Sequence, residues 1–283
     1  MSNKRMLIGL IAVIVAVGAW TQVNGLTLKK RDGTPPVPTA TASAEPSPQP
    51  TASEPPQDAR VIASLPNRTI ATNDLGIAVV TNAESTLVLA NKKRNLPADY
   101  EPSDLVIPNV PFAFSDNSPK KQLRQVAADA LESLFAAAKE DSIDLKVVSG
   151  YRSYKTQQSL FAYYVSKHGE EAAARFSAHA GQSEHQTGLA LDVSSASVGY
   201  GLEESYGETL EGKWLVAHAA EHGFIIRYPK DKEDITGYSY EPWHIRYVGT
   251  DVAKQVMDKG ITLEEFFDAV AVSAGKSAGN TAK

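Results

Sequence analysis

Two short segments of the chain carry side chains that have to meet in space. Residues 183–192 read Ser-Glu-His-Gln-Thr-Gly-Leu-Ala-Leu-Asp, and residues 241–246, about 50 positions further on, read Glu-Pro-Trp-His-Ile-Arg. His185, Asp192 and His244 are metal-ligand residue types, and a catalytic zinc site needs three protein ligands and one open position for water. The fold must therefore bring these two distant segments together around one point.

Glu241 is left over when these three ligands are assigned. A glutamate beside a metal-bound water can take a proton from it. The His-x6-Asp spacing alone arises often by chance, and a lone His244 is more often a buried, hydrogen-bonded histidine. The two segments together predict a metal site. In a regular strand Glu241 and His244 would point to opposite faces, but Pro242 interrupts that regularity and lets both face one cavity.

The N-terminus has the pattern of an export signal. Basic residues at positions 4 and 5 precede an apolar run of 15 residues from Met6 to Trp20. This run suits a signal-peptide core, whereas residues 6–23 form a marginal single span. Residues 1–30 are therefore predicted to be a signal or membrane anchor, and an uncleaved anchor is slightly favoured. Either outcome places the remaining chain outside the cytoplasm, facing the cell wall or secreted.

The next segment, residues 31–60, is rich in Pro, Ala, Ser and Thr and holds eight of the chain's 16 prolines. It has too little apolar surface to offset the entropy of ordering, so it is predicted to be a disordered spacer.

Residues 61–271 are long enough for a single domain with one core. The chain has no cysteine, which excludes disulfides and thiol nucleophiles, and its net charge of −5 gives no indication of nucleic-acid binding.

Helical and strand patterns alternate in this domain without a regular βαβ rhythm. Strands are expected in residues 77–80, 86–89, 145–148, 189–193, 224–227 and 243–248. Helices are expected from Pro119 to Ala138 and over residues 155–167, 214–222, 251–259 and 262–270. This mixture favours an α+β fold with a mainly antiparallel sheet flanked by helices. Residues 272–283 are small and polar and are expected to form a flexible tail.

The combination Ser-x-His-x-x-Gly-x-Ala-x-Asp and Glu-Pro-Trp-His-x-Arg resembles the VanY-type zinc D-alanyl-D-alanine carboxypeptidases, a family that includes related L,D-carboxypeptidases. The resemblance covers about residues 87–249 and extends to Leu-Pro-Ala-Asp-Tyr at 96–100, Ser-Gly-Tyr-Arg-Ser at 149–153, and segments 223–229 and 235–238. It implies the zinc D,D-peptidase (Hedgehog-like) fold. The first 60 residues and the tail lie outside it.

The resemblance also implies a role for each matching residue. His185, Asp192 and His244 correspond to the ligands of one Zn²⁺ per chain. Glu241 corresponds to the general base, and Arg152 to the catalytic cation near the scissile carbonyl or the terminal carboxylate. The substrate-binding residues that it implies are Arg152, Gln157 and Ser183. Arg246 is left with two interpretations, pairing with a carboxylate ligand or bracing its strand.

The implied reaction is removal of the C-terminal D-alanine from a peptidoglycan stem peptide by a monomeric enzyme. L,D-carboxypeptidase activity on tetrapeptide stems and endopeptidase activity remain alternatives. A serine D,D-peptidase is disfavoured because Ser-Asp-Asn at 115–117 precedes Ser-x-x-Lys at 118–121 and Lys-Thr-Gly is absent. A non-enzymatic peptidoglycan-binding or sensing module would have no need for Glu241.

Overall fold

The computed structural model describes residues 57–280. The predicted signal or anchor at 1–30 and all but the end of the predicted spacer lie outside the described residues. Residues 57–60, assigned to the spacer, belong to the first helix, α1 (Gln57–Ala63). Among residues 57–280, no helix is long and apolar enough to cross a membrane.

A four-stranded antiparallel sheet is the centre of the fold. Its strands are β5 (Lys146–Ser149), β6 (Ala190–Ser194), β7 (Phe224–Tyr228) and β8 (Glu241–Tyr247), in the spatial order β5-β6-β8-β7. Two small antiparallel pairs precede it, formed by β1 (Ile70–Thr72) with β2 (Ala78–Val80) and by β3 (Leu105–Val106) with β4 (Leu123–Arg124). The predicted α+β class with a mainly antiparallel sheet is confirmed.

Seven further helices flank these strands. They are α2 (Gln125–Glu140), α3 (Tyr154–His168), α4 (Glu170–Phe176), α5 (Leu210–His218), α6 (Glu233–Thr236), α7 (Thr250–Asp258) and α8 (Leu263–Asn280). The Thr262–Glu265 capping box at the start of α8 is present, with each side chain accepting from the other residue's backbone N–H. Helix α8 continues to Asn280, so most of the residues predicted as a flexible tail from position 272 are helical.

Alternation along the central strands separates an apolar face from a polar face. Leu191 and Val193 of β6 and Ile245 of β8 belong to the core cluster that also contains the buried side of α2. Asp192 and His244, which alternate with these residues, lie on the other face. The sheet therefore buries one face against α2 and presents charged side chains on the other.

The predicted start of the second helix was wrong. Pro119 begins a short 3-10 turn, Pro119–Lys121, and the α-helix begins only at Gln125. Between them Leu123 and Arg124 form strand β4 with residues 105–106, while the carbonyls of Lys120 and Gln122 accept hydrogen bonds from residues 150 and 151. The backbone of residues 120–124 is therefore engaged in long-range hydrogen bonds, and the helix begins after this segment.

The strand predicted over residues 86–89 was also wrong. Leu87, Val88 and Leu89 are all buried, but their backbone joins no sheet. Arginine side chains bind the carbonyls instead: Arg246 donates to the oxygens of Thr86 and Val88, and Arg94 donates to that of Leu89. The apolar run therefore predicted the burial of these side chains correctly. It did not predict that arginine side chains, in place of a neighbouring strand, would donate to the backbone carbonyls.

Candidate metal centre and active site

The structure brings together the three residues predicted as metal ligands. Asp192 and His244 are direct cross-strand partners on β6 and β8, and His185 lies in the 3-10 turn Glu184–Thr187 that precedes β6. His244 Nδ1 is 3.1 Å from Asp192 Oδ1, and His185 Nε2 is 3.4 Å from Asp192 Oδ2. All three ligand atoms lie within 4.8 Å of one another, and all three residues are buried.

Local backbone geometry sets the position of His185. The turn ends at Gly188, whose φ of 65° lies in the left-handed region, and an added Cβ would come within 2.9 Å of Arg124 and Leu105 side-chain atoms. His185 Nδ1 lies 2.8 Å from the carbonyl oxygen of Gly150. A hydrogen on Nδ1 satisfies that carbonyl and leaves the Nε2 lone pair for a metal, as second-shell hydrogen bonds do in zinc sites.

These donors fit a divalent metal such as zinc. Two neutral imidazole nitrogens and one carboxylate make a common catalytic ligand set. Burial alone would raise the pKa of Asp192, but His185 and His244 hold it well below its usual range, so the carboxylate is ionised. Burial acts to lower the pKa of His244, but the carboxylate of Asp192 raises it to about 9, so a metal at Nδ1 would have to displace a proton. The site thus offers three buried ligand side chains, while its binding of a metal stays a prediction.

Glu241 reaches the same cavity because β8 is irregular. Ile226 pairs with Ile245 and Tyr228 pairs with Glu241, so three residues of β8 lie opposite one residue of β7. This bulge includes Pro242 and turns the Glu241 carboxylate to 3.8 Å from His244 Nδ1. Burial raises the pKa of the Glu241 carboxyl to about 8, although His244 and Arg152 act in the opposite direction.

Arg152 borders the cavity from the other side. Its Nη1 donates to Gln157 Oε1 at 2.8 Å, its Nη2 donates to Ser149 Oγ at 3.1 Å, and its backbone N–H donates to the carbonyl of His185. Burial lowers the pKa of Arg152, whereas the carboxylates of Asp192 and Glu241 raise it. The guanidinium is thus held near the candidate ligands and remains a cation.

Gln157 and Ser183, the other predicted substrate-binding residues, have different environments. Gln157 is buried, and its amide is already engaged: the oxygen accepts from Arg152 and the nitrogen donates to Ala178 O at 2.6 Å. Ser183 lines the cavity, and its side chain does not cap the turn that follows it. Gln157 therefore orients Arg152, and Ser183 is placed to meet a ligand; contact of either with substrate stays a prediction.

The cavity has a volume of about 260 Å³ and contains all three candidate ligands and Glu241 on its wall. Aromatic side chains, Tyr164, Phe176, Tyr228 and Tyr238, form much of the remainder. A second cavity of about 680 Å³ shares Arg152, Tyr164 and Asp192 with it. The two cavities therefore adjoin each other at these shared residues.

Sequence reasoning missed Glu184, which precedes the ligand His185. Its side chain is completely buried, and Arg227 and Arg246 both donate to its Oε1 at 2.8 Å. Arg246 therefore differs from both interpretations of the sequence: it pairs with a carboxylate that is not a candidate ligand, and it braces residues 86–88, which join no sheet. A lone arginine at 227 within an apolar strand was the available signal, because a buried cation needs an anionic partner.

Comparison with known proteins identifies the fold and this site as those of a carboxypeptidase. The family model described as "VanY: D-alanyl-D-alanine carboxypeptidase" matches residues 120–250. A curated relative, the putative carboxypeptidase YodJ of Bacillus subtilis (strain 168), is 52% identical over 195 residues, covering 69% of this chain and 71% of the relative. The chain therefore belongs to the VanY family.

Two solved structures extend the comparison. The LD-carboxypeptidase LdcB is 52% identical, with a TM-score of 0.68 over 70% of this chain and 92% of that one. The D,D-pentapeptidase VanY from a VanB-type vancomycin-resistance cassette, solved as a mutant in complex with Zn(II), is 33% identical. Its TM-score is 0.52 over 64% of this chain and 98% of that one. The chain is thus similar to members with two different specificities.

Proposed function

We propose that this protein is a zinc-dependent carboxypeptidase that removes the C-terminal D-alanine from peptidoglycan stem peptides. The observation that carries the proposal is the convergence of His185, Asp192 and His244, with Glu241 beside them, at the wall of one cleft. Membership of the VanY family supports it. A binding module would have no use for a buried carboxylate next to three candidate ligands.

His185 Nε2, His244 Nδ1 and an Asp192 oxygen would hold the Zn²⁺ ion. When bound, zinc supplies a Lewis acid and lowers the pKa of a water molecule to about 7. The surrounding protein contributes burial, which strengthens every electrostatic interaction inside the site. It also fixes the His185 ring through the carbonyl of Gly150.

Glu241 is the proposed general base. Its carboxylate lies on the cavity wall, 3.8 Å from His244 Nδ1, and burial brings its pKa toward the range in which a carboxyl group accepts and returns a proton. It would take a proton from the attacking water at a carboxylate oxygen and then deliver a proton to the departing amine of D-alanine. Glu241 thus accepts one proton and gives one up, so it ends in the protonation state in which it began.

Arg152 is the proposed anion-binding group. A planar guanidinium can hold a peptide's terminal carboxylate through two hydrogen bonds, or stabilise negative charge that develops on the scissile carbonyl oxygen. Gln157 and Ser149 fix its orientation, and Ser183 is available to hydrogen-bond the substrate. This arrangement would favour a free C-terminus over an internal peptide bond.

Two substrates fit this chemistry. The first candidate is a pentapeptide stem ending in D-Ala-D-Ala, which is D,D-carboxypeptidase activity and the reaction that gives the VanY family its description. The 52% identity to the LD-carboxypeptidase LdcB, against 33% to the D,D-pentapeptidase VanY, favours the second candidate, a tetrapeptide stem whose D-alanine follows a diamino acid. Both reactions use the same ligands, base and carboxylate-binding group.

Incubation of the purified protein with defined stem peptides, followed by mass spectrometry, separates these candidates. Loss of one alanine from the pentapeptide or from the tetrapeptide identifies the specificity. His244→Ala should bind no stoichiometric zinc and release no alanine, and a chelator should inactivate the parent protein reversibly. Equal zinc content in His244→Ala would contradict the ligand set. Cleavage only of peptides with a blocked C-terminus would identify an endopeptidase instead.

We further propose that the enzyme acts outside the cytoplasmic membrane, attached by residues 6–23 or released after signal cleavage. The basic start followed by an apolar run supports export. Cell fractionation with N-terminal sequencing tests this, because an anchored protein keeps Met6–Trp20 and a released one loses it. Recovery of the intact chain from the cytoplasm would contradict both forms.

A further inference from the structure

Four charged side chains, three of them fully buried, form a cluster behind the candidate metal site, which we call the buried charge cluster. It consists of Glu184, Arg227, Arg246 and Glu264. Arg227 donates to Glu184 through Nε and makes a two-hydrogen-bond pair with Glu264 at 2.7 and 2.9 Å. Both arginine side chains are fully buried. Such a cluster is costly to bury, so a stabilising role alone is a weak reason for its presence.

One oxygen of Glu184 points away from the arginines toward a candidate ligand. Oε1 accepts from both guanidinium groups, whereas Oε2 faces His244 Nε2 at 3.8 Å. Within residues 57–280 neither of these two buried atoms has a hydrogen-bond partner. Buried polar atoms are rarely left unpaired, and here a carboxylate acceptor and an imidazole nitrogen face each other just beyond hydrogen-bond distance.

The rest of the His244 environment fixes its ring in this orientation. Tyr228 packs against the ring with centroids 4.9 Å apart, and His185 contacts it edge-on at 5.0 Å. The opposite ring nitrogen, Nδ1, points to the site and lies 3.1 Å from Asp192. The two nitrogens of His244 therefore face two different carboxylates, one at the site and one in the buried charge cluster.

We propose that Glu184 is a positioning residue that keeps the hydrogen of neutral His244 on Nε2 and leaves the Nδ1 lone pair free for the metal. Arg227 and Arg246 can only donate, so they hold Glu184 in place through Oε1 and leave Oε2 facing His244. This assignment rests on the zinc site proposed above. It gives Glu184 a function in metal binding, because metal-ligating histidines commonly donate their other N–H to such an acceptor.

Glu184→Gln is a sharp test because it replaces the acceptor that faces His244 Nε2 with a donor. The two arginines can only donate, so the amide oxygen of glutamine should stay with them. Its NH2 group then faces His244 Nε2 and requires an acceptor there. That favours the tautomer with hydrogen on Nδ1, which competes directly with the metal.

The zinc dissociation constant of the full chain, measured by competition with a chromophoric chelator, is the readout. We expect zinc affinity in Glu184→Gln to fall by about 10- to 100-fold. Glu264→Gln is the matched control, because it makes the same chemical change beside Arg227 without facing His244. It should keep the zinc affinity of the parent protein even if thermal stability falls.

The outcomes separate this inference from the proposed function. A parent protein that binds no zinc contradicts the proposed zinc site itself. A parent protein that binds zinc, with Glu184→Gln and Glu264→Gln both binding equally well, overturns only the role of Glu184. If Glu184→Gln does not fold, Glu184→Asp keeps the charge and withdraws the carboxylate from His244 by one methylene group. Zinc affinity equal to that of the parent in Glu184→Asp would then overturn the inference.

Discussion

The two faces of the central sheet obey different physical rules, although they share the same strands. Toward α2, side chains such as Leu191 and Ile245 are fully buried among other apolar groups. Toward the site, the alternate residues Asp192, His244 and Arg246 are equally buried but charged or titratable. Burial stabilises the first face through the hydrophobic effect, whereas it costs free energy on the second.

This difference shows where stability and function are separated in the molecule. The apolar face can lose a methylene group only at a cost in folding free energy. The site face concentrates buried ionised groups, and it includes two buried atoms without a hydrogen-bond partner in residues 57–280, Glu184 Oε2 and His244 Nε2. Substitutions on the site face should therefore change chemistry more than stability, and substitutions on the α2 face should do the reverse.

The largest effect is expected for Glu241→Gln. The amide keeps the size of the side chain but cannot accept and return a proton, so kcat should fall by at least the roughly 10²–10⁴-fold that a general acid–base group supplies. Zinc content and the thermal midpoint should stay close to those of the parent protein. Steady-state kinetics on the cleaved stem peptide, metal analysis and a melting curve measure all three.

Glu140→Gln provides the matched control for this change. Glu140 is exposed at the end of α2, away from the candidate ligands, so the same substitution there should leave kcat unchanged. Near-normal turnover of Glu241→Gln would remove its role as base and favour the binding-module alternative. A large loss in both variants would indicate a general effect of removing negative charge.

The second effect tests the α2 face. Leu134 is fully buried in the core cluster between α2 and the sheet. Leu134→Ala should lower the free energy of unfolding by about 2–5 kcal/mol, through lost burial and the cavity left behind. Denaturant unfolding measures this loss, while zinc affinity and kcat/KM at a temperature well below the midpoint should be retained. A loss of zinc affinity with normal folding would show that the two faces are coupled.

The sequence could predict the candidate site because its residues stand in local motifs. His185, Asp192 and His244 meet as expected, and the break at Pro242 turns Glu241 into the cavity as expected. The buried charge cluster could not be read in the same way. Its members come from four separate segments, and their pairing depends on the side-chain register of two strands and a helix.

The predicted secondary structure failed where side chains replaced backbone partners. The run Thr86–Leu89 has the composition of a strand, and its burial agrees with that. Its carbonyl oxygens, however, accept hydrogen bonds from the side chains of Arg246 and Arg94. Arg246 is distant in the sequence, and Arg94 follows the run. Apolar periodicity indicates which side chains are buried. It does not indicate which groups form hydrogen bonds with the backbone N–H and C=O groups.

The smallest effect is expected for Ile245→Val, which tests the separation of the two faces at its closest point. Ile245 stands between His244 and Arg246 in β8, but its side chain is fully buried in the α2-side core. Removing one methyl group there should cost about 0.5–1.5 kcal/mol of unfolding free energy. Because the strand keeps its pairing with β6 and β7, the imidazole of His244 should not move, and zinc affinity and kcat should equal those of the parent protein. Denaturant unfolding and chelator competition on the same preparation measure the two quantities. Weaker zinc binding in Ile245→Val would mean that core packing, in addition to Glu184, sets the position of the His244 ligand.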